Sequence, residues 1–140
     1  MKNITKTISD YNKLQAGSIK EVCNALEANI NKYLKGSESK IWHGTPVWFL
    51  DENPIVAYSV LKSGKVSLMF FSGQSFDEVL LKPEGKFKAA EIFYTEVKYV
   101  KTTHLKAWLK KAKEIQWDYK NIVKNKGKLS LITDKSKRHS

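Results

Sequence analysis

Two apolar stripes of helical spacing, one toward each end of the chain, constrain the fold most. The first runs through Ile19, Val22, Cys23, Leu26, Ile30, Tyr33 and Leu34; the second through Leu105, Trp108, Leu109, Ala112, Ile115, Tyr119, Ile122 and Val123. Each keeps to one side of a helix, and each needs an apolar surface to cover it. Between them lie runs rich in β-branched and aromatic residues: Ile41-Trp42, Val47 to Leu50, Ile55 to Lys62, Val66 to Phe71 and Ala90 to Val97. One face of one sheet can serve both stripes. The expected fold is therefore α+β, a single antiparallel β-sheet with the N-terminal and C-terminal helices packed on one face.

Local signals set the boundaries. Ser18-Ile19-Lys20-Glu21 fits a capping box at the start of the first long helix, and Gly36 fits a left-handed stop after it. Thr102 or Thr103 is placed to cap the last helix, which the spacing extends to Val123. Ser63-Gly64-Lys65 joins two strands as a hairpin loop, and Asp51-Glu52-Asn53-Pro54 reads as a turn. A short polar helix or loop is expected at Ser9 to Gln15, and a helical turn at Phe76 to Leu81.

At 140 residues the chain is expected to be one domain: an N-terminal extension over 1–17, the α+β domain over 18–124, and a basic, disordered tail over 125–140 with a brief ordered piece at Leu129 to Ile132. The single cysteine, Cys23, forms no internal disulfide and falls on the first stripe, which predicts a buried thiol. Met1 to Lys13 has no apolar core of a signal peptide, and no run approaches the ~18 apolar residues of a membrane span. The expected location is the cytoplasm. The oligomeric state is not encoded in any pattern.

The segment Lys40-Ile41-Trp42-His43-Gly44-Thr45-Pro46-Val47-Trp48-Phe49 carries the strongest candidate site. Gly44 opens backbone angles closed to other residues, Pro46 fixes its own φ, and Thr45 is pushed toward extended chain. The expectation is a kink that presents an aromatic-walled concavity. Trp42 and Trp48 would be its walls, Tyr58 a neighbouring border, His43 a donor or acceptor on the rim, and Lys40 or Lys86 a contact for an anion. The competing reading makes both tryptophans core residues and His43 a turn residue.

These residues also carry a resemblance. From about Ser18 to Val123 the chain resembles the YdhG-like family of small bacterial domains of unknown function. The matching features are Trp42-His43-Gly44-Thr45-Pro46-Val47-Trp48-Phe49, then Ile55-Val56-Ala57-Tyr58, Val66-Ser67-Leu68-Met69-Phe70-Phe71-Ser72-Gly73, Leu80-Leu81 and Gly85-Lys86. The resemblance implies an α+β domain with helices at both ends packed on an antiparallel sheet. Some members are described as frataxin-like iron chaperones, which makes intracellular iron delivery a third functional expectation.

The net charge of +11 is uneven: residues 98–140 carry a balance of +10 and residues 1–97 of +1. On an extended last helix Lys106, Lys110, Lys113, Trp117, Lys120 and Lys124 would share one side. A lysine row broken by an indole suits phosphates and a stacked base, so nucleic acid or another anionic surface is the alternative partner; the bland reading is a solvated helix face.

Metal chemistry has little basis in the sequence. His43, His104 and His139 show no zinc spacing, and the first helix offers an iron only Glu21 and Glu27. Asp51-Glu52 and Asp77-Glu78 read as turn and helix-start residues. No metal site and no cofactor are expected. Gly85-Lys86 is too short to be a phosphate-cradling loop, and no serine sits in a nucleophile elbow. The functional expectation is non-enzymatic binding of a small or anionic ligand beside the kink.

Overall fold

The computed structural model describes residues 7–132. Three helices, α1 (Ile8–Lys13), α2 (Gly17–Tyr33) and α3 (Thr102–Glu114), pack on one face of an antiparallel sheet. The sheet is built from β1 (Glu38–Trp42), β2 (Thr45–Leu50), β3 (Asn53–Val60), β4 (Val66–Phe70), β5 (Lys82–Pro83) and β6 (Ala90–Tyr94), in the order β1-β2-β3-β4-β6-β5. A second, two-stranded piece pairs β7 (Gln116–Trp117) with β8 (Leu131–Ile132). The α+β expectation is met, with both long helices on the same face.

Alternation along the strands separates the faces. Trp48, Val56, Tyr58, Leu68, Phe70 and Tyr94 point at the helices, where they meet Val22, Cys23, Leu26 and Ile30 of α2 and Leu105, Trp108, Leu109 and Ala112 of α3. The opposite face carries Trp42, Val47, Phe49, Ala57 and Met69. A bulge between Trp48 and Phe49 shifts the β2–β3 register. It turns both Ile55 and Val56 into the helix-side core and leaves Pro54 opposite Phe49.

A buried polar seam locks α1 to this core. The Tyr58 hydroxyl donates to Asn12 Oδ1 at 2.7 Å, and Asn12 Nδ2 donates to Asn24 Oδ1 at 3.1 Å and Glu27 Oε1 at 2.9 Å. The Val60 amide donates to the Tyr11 hydroxyl at 2.8 Å. Every polar atom in the seam that is buried with the aromatics thus exchanges water for a partner.

Four local expectations need correction. Ser18 caps nothing: the residue before α2 is Ala16, without a side-chain cap bond, because the helix begins two residues early at Gly17, whose φ is +56°. Neither Thr102 nor Thr103 caps α3; both lie inside it, after Lys101. The last helix stops at Glu114, not Val123. Ile115 turns to extended backbone (φ −117°, ψ 106°), and Gln116-Trp117 leaves as a strand. The capped helix is the short one, where Thr7 Oγ1 accepts from the Asp10 amide at 3.0 Å. The 76–81 segment is likewise not helical; a single 3₁₀ turn lies just before it at Gly73–Ser75.

Candidate functional site

The kink is a tight β-hairpin. Trp42 pairs with Thr45, and the two intervening residues, His43 (φ 53°) and Gly44 (φ 82°), are both left-handed. That is the geometry of a type I′ turn, which matches the twist of the flanking strands. A two-residue turn aligns Trp42 with Thr45, Val47 and Phe49, all on the helix-free face, and leaves Trp48 on the other. The two tryptophans therefore wall different spaces. Trp48 is fully buried, 5.7 Å from the Tyr58 ring, and its indole N–H donates to Asn31 Oδ1 at 2.8 Å. Trp48 and Tyr58 are core residues, and the structure does not bring them to Trp42 and His43.

What does meet Trp42 is the chain after α3. Residues 116–123 fold back as a strap over the helix-free face. Asn53, 2% exposed, pins the strap from the β2–β3 turn: its amide donates to Gln116 Oε1 (3.2 Å) and to the Trp117 carbonyl (3.0 Å), and its oxygen accepts from the Lys120 amide (3.0 Å). The Trp117 amide donates to Ser72 Oγ at 2.9 Å. Tyr119 lays its ring edge-on to Phe71 (5.4 Å) and accepts from the Lys88 amide.

Between strap and sheet lies a cavity of about 570 Å³, lined by Lys40, Trp42, His43, Phe49, Glu52 and Pro54 from the sheet and by residues 119–123 from the strap. The Trp42 ring stacks obliquely on His43 at 4.3 Å and meets Phe49 edge-on at 5.5 Å. Lys40 Nζ stands 5.0 Å over the Phe49 ring and forms no ion pair among the described residues. Lys120 Nζ donates to the Asp51 carbonyl at 2.9 Å. Trp42, Phe49, Pro54, Ile122 and Val123 supply the apolar lining; the polar side chains are Lys40, Lys120, His43, Glu52, Tyr119 and Asn121, whose amide donates to the Asp118 carboxylate.

Two sets of candidates are thus redistributed. Lys40, Trp42 and His43 come together as expected, and Lys120 joins them from the supposed helical row. Lys86 lies in the exposed 84–88 loop, over Phe87, outside this cavity. Of the row itself, only Lys106, Lys110 and Lys113 share an exposed side of α3. Trp117, Lys120 and Lys124 lie beyond the helix end. Lys111 is engaged by Glu78 at 2.6 Å and by the Phe76 carbonyl, and its ammonium holds the Glu78 carboxyl below its usual range. Asn53 and Tyr119 escaped the sequence reading. Asn53 lies in a turn signal, and Tyr119 continues a helical stripe that the backbone abandons at Ile115.

Among the described residues no group of three or more His, Cys, Asp or Glu side chains is gathered to hold a metal ion, and no helix is long and apolar enough to cross a membrane. The Cys23 thiol is fully buried, and burial pushes its pKa up to about 12, which removes it as a nucleophile. Compared with family models, curated proteins and solved structures, the chain matches none.

Proposed function

We propose that this protein is a non-enzymatic binder of a small anionic ligand, held between the β1–β2 hairpin and the strap. One observation carries the reading: Lys120, nearly eighty residues away in sequence, converges with Lys40, Trp42 and His43 on one cavity of about 570 Å³ with largely apolar walls. That volume lies within the roughly 300–1,000 Å³ of small-molecule sites, which pair apolar walls with a few placed polar groups. Trp42 and Phe49 would cover the apolar part of the ligand. Lys40 and Lys120 would hold its charge, and His43 would add a ring N–H donor or a lone pair. Glu52 disfavours a purely anionic occupant at its end, so a ligand with a hydrogen-bond donor there fits best. Membership of the YdhG-like family belongs to the same proposal, supported by the ordered motifs and by the agreement of the fold with the one the resemblance implies.

Thermal-shift titration with inorganic phosphate, short carboxylates and aromatic carboxylates tests the site on wild type, His43→Ala and Lys120→Gln. A ligand at about a hundred times its Kd stabilises the folded chain by about 2.7 kcal/mol. The expected result is stabilisation of wild type that both variants weaken. Equal stabilisation of all three proteins removes the cavity from consideration.

A further inference from the structure

From the cavity outward, the helix-free face repeats one arrangement. A lysine ammonium stands over an aromatic ring at Lys40–Phe49 (5.0 Å), Lys65–Phe93 (5.5 Å), Lys86–Phe87 (5.5 Å) and Lys88–Trp117 (4.6 Å). Phe49 on β2 and Phe93 on β6 belong to this face by register, and Phe87 reaches it through Tyr119 and Phe71. Three of its rings present apolar area to solvent: Phe93 is 43% exposed, and Phe87 and Trp42 are each 37% exposed. We propose that this face binds single-stranded nucleic acid, with the exposed rings as base-stacking platforms and their lysines as phosphate contacts.

The chemistry selects this partner over others. Bases stack on aromatic side chains whatever their sequence, while a basic groove follows the backbone. A protein partner fits poorly, because lysine is depleted in protein interfaces. A duplex fits poorly too: β2 and β6 stand three strand spacings apart, about 14 Å, wider than the ~12 Å major groove. Between them the floor is low, a hollow of about 230 Å³ lined in part by Ala57, Ser59, Ser67 and Met69. Its acidic members, Glu84 and Glu91, repel phosphate and are placed to accept from base N–H groups; Glu91 already accepts from Ser67 at 2.8 Å. Phosphates are thereby directed to the lysine-bearing rim. The surface overlaps the cavity at Lys40, Trp42 and Phe49 and extends past it to Phe87 and Phe93, where it is tested apart from the small ligand.

Fluorescence anisotropy with labelled oligo-dT and oligo-U, a matched duplex and anionic lipid vesicles tests the proposal at low and moderate salt. Single strands should bind, more tightly than the duplex, and more weakly as salt rises. Phe93→Ala and Phe87→Ala, both at exposed positions outside the small-ligand cavity, should each weaken single-strand binding about five- to a hundredfold at every salt concentration. Lys65→Gln with Lys86→Gln should instead reduce the salt slope by about 1.4, at about 0.7 per contact. Circular dichroism confirms that the variants fold. Absence of oligonucleotide binding at low salt overturns the proposal. So does equal affinity for duplex, binding to vesicles alone, or binding that survives both phenylalanine variants but is lost on replacing Lys106, Lys110 and Lys113.

Discussion

Trp48 and Trp42 stand six residues apart and occupy opposite faces of the same sheet. On the helix side, Trp48 is closed off from water, its N–H is matched by Asn31, and Tyr58 beside it is matched by Asn12. On the other side Trp42 keeps 37% of its surface exposed, leans on His43 and Phe49, and has lysines for neighbours. Residue type does not distinguish them; register does. One face spends its aromatics on packing and on a satisfied polar seam, while the other leaves rings and charges to solvent beneath a strap that only a few hydrogen bonds hold down.

The sharpest way to break that contrast is to truncate both indoles. Trp48→Ala should cost about 3–5 kcal/mol, the range for removing a large buried aromatic, and should leave a cavity among α2, β2 and β3. Against a total stability of about 5–15 kcal/mol, much of the chain would be lost at body temperature. Trp42→Ala should cost about 1 kcal/mol or less, since it empties no core. Urea unfolding of the two variants decides the matter. Comparable losses would show that the helix-free face is as structural as the core.

Asn53 tests the boundary between the two regions. Its side chain makes three hydrogen bonds that tie the strap to the β2–β3 turn. Asn53→Ala leaves the Lys120 amide and the Trp117 carbonyl without their partner, a loss of about 1–3 kcal/mol. Hydrogen exchange at the Lys120 amide should accelerate, with protection in α2 and β4 little changed. Uniform loss of protection would mean that the strap unfolds only with the core.

The helix-side face should also announce itself through pH. Burial pushes the Cys23 thiol up to about 12, and it pushes the Tyr58 and Tyr94 hydroxyls up as well. Below about pH 8 folded and unfolded chains both keep the thiol proton, so its contribution is constant. As pH rises further, the unfolded thiol ionises while the folded one does not. Stability therefore falls with rising pH, by at most about 1.4 kcal/mol per unit for this group, and the tyrosines steepen the fall above about pH 10. Urea midpoints between about pH 8 and 11 should show the loss, and Cys23→Ala should remove its first part. An equal decline in Cys23→Ala would show that the thiol is not the group responsible.

How much of this was legible in the sequence follows from which rules depend on neighbours. The α2 stripe and the strands needed only periodicity, because Val22, Cys23, Leu26 and Ile30 have no competing use. The end of α3 was not legible: Tyr119 and Ile122 keep helical spacing, yet Tyr119 packs on Phe71 and Ile122 lines the cavity, so tertiary packing overrode a pattern with no Gly or Pro to stop it. The division between Trp42 and Trp48 was recoverable in principle. Reading His43-Gly44 as a two-residue hairpin turn, rather than as a kink, fixes the alternation and places Trp42 opposite Thr45. Asn53 was the hardest case, since its role depends on a strap whose arrival no local signal announces.

His43 gives the smallest effect and the most direct separation of fold from function. At φ 53° it occupies a left-handed turn position that β-hairpins fill by preference with asparagine ahead of glycine. A histidine there pays a local conformational cost that asparagine largely avoids. His43→Asn should therefore stabilise the hairpin by about 0.3 kcal/mol, on the order of 1 °C in Tm. It also removes the imidazole from the cavity. If His43 serves a bound anion, the same variant should gain in thermal stability when free and lose the response to ligand. Opposite signs in the two measurements mark a residue kept for binding at the expense of the turn. A gain in stability with an undiminished ligand response would return His43 to the role of a turn residue, and leave Lys40 and Lys120 to hold the anion alone.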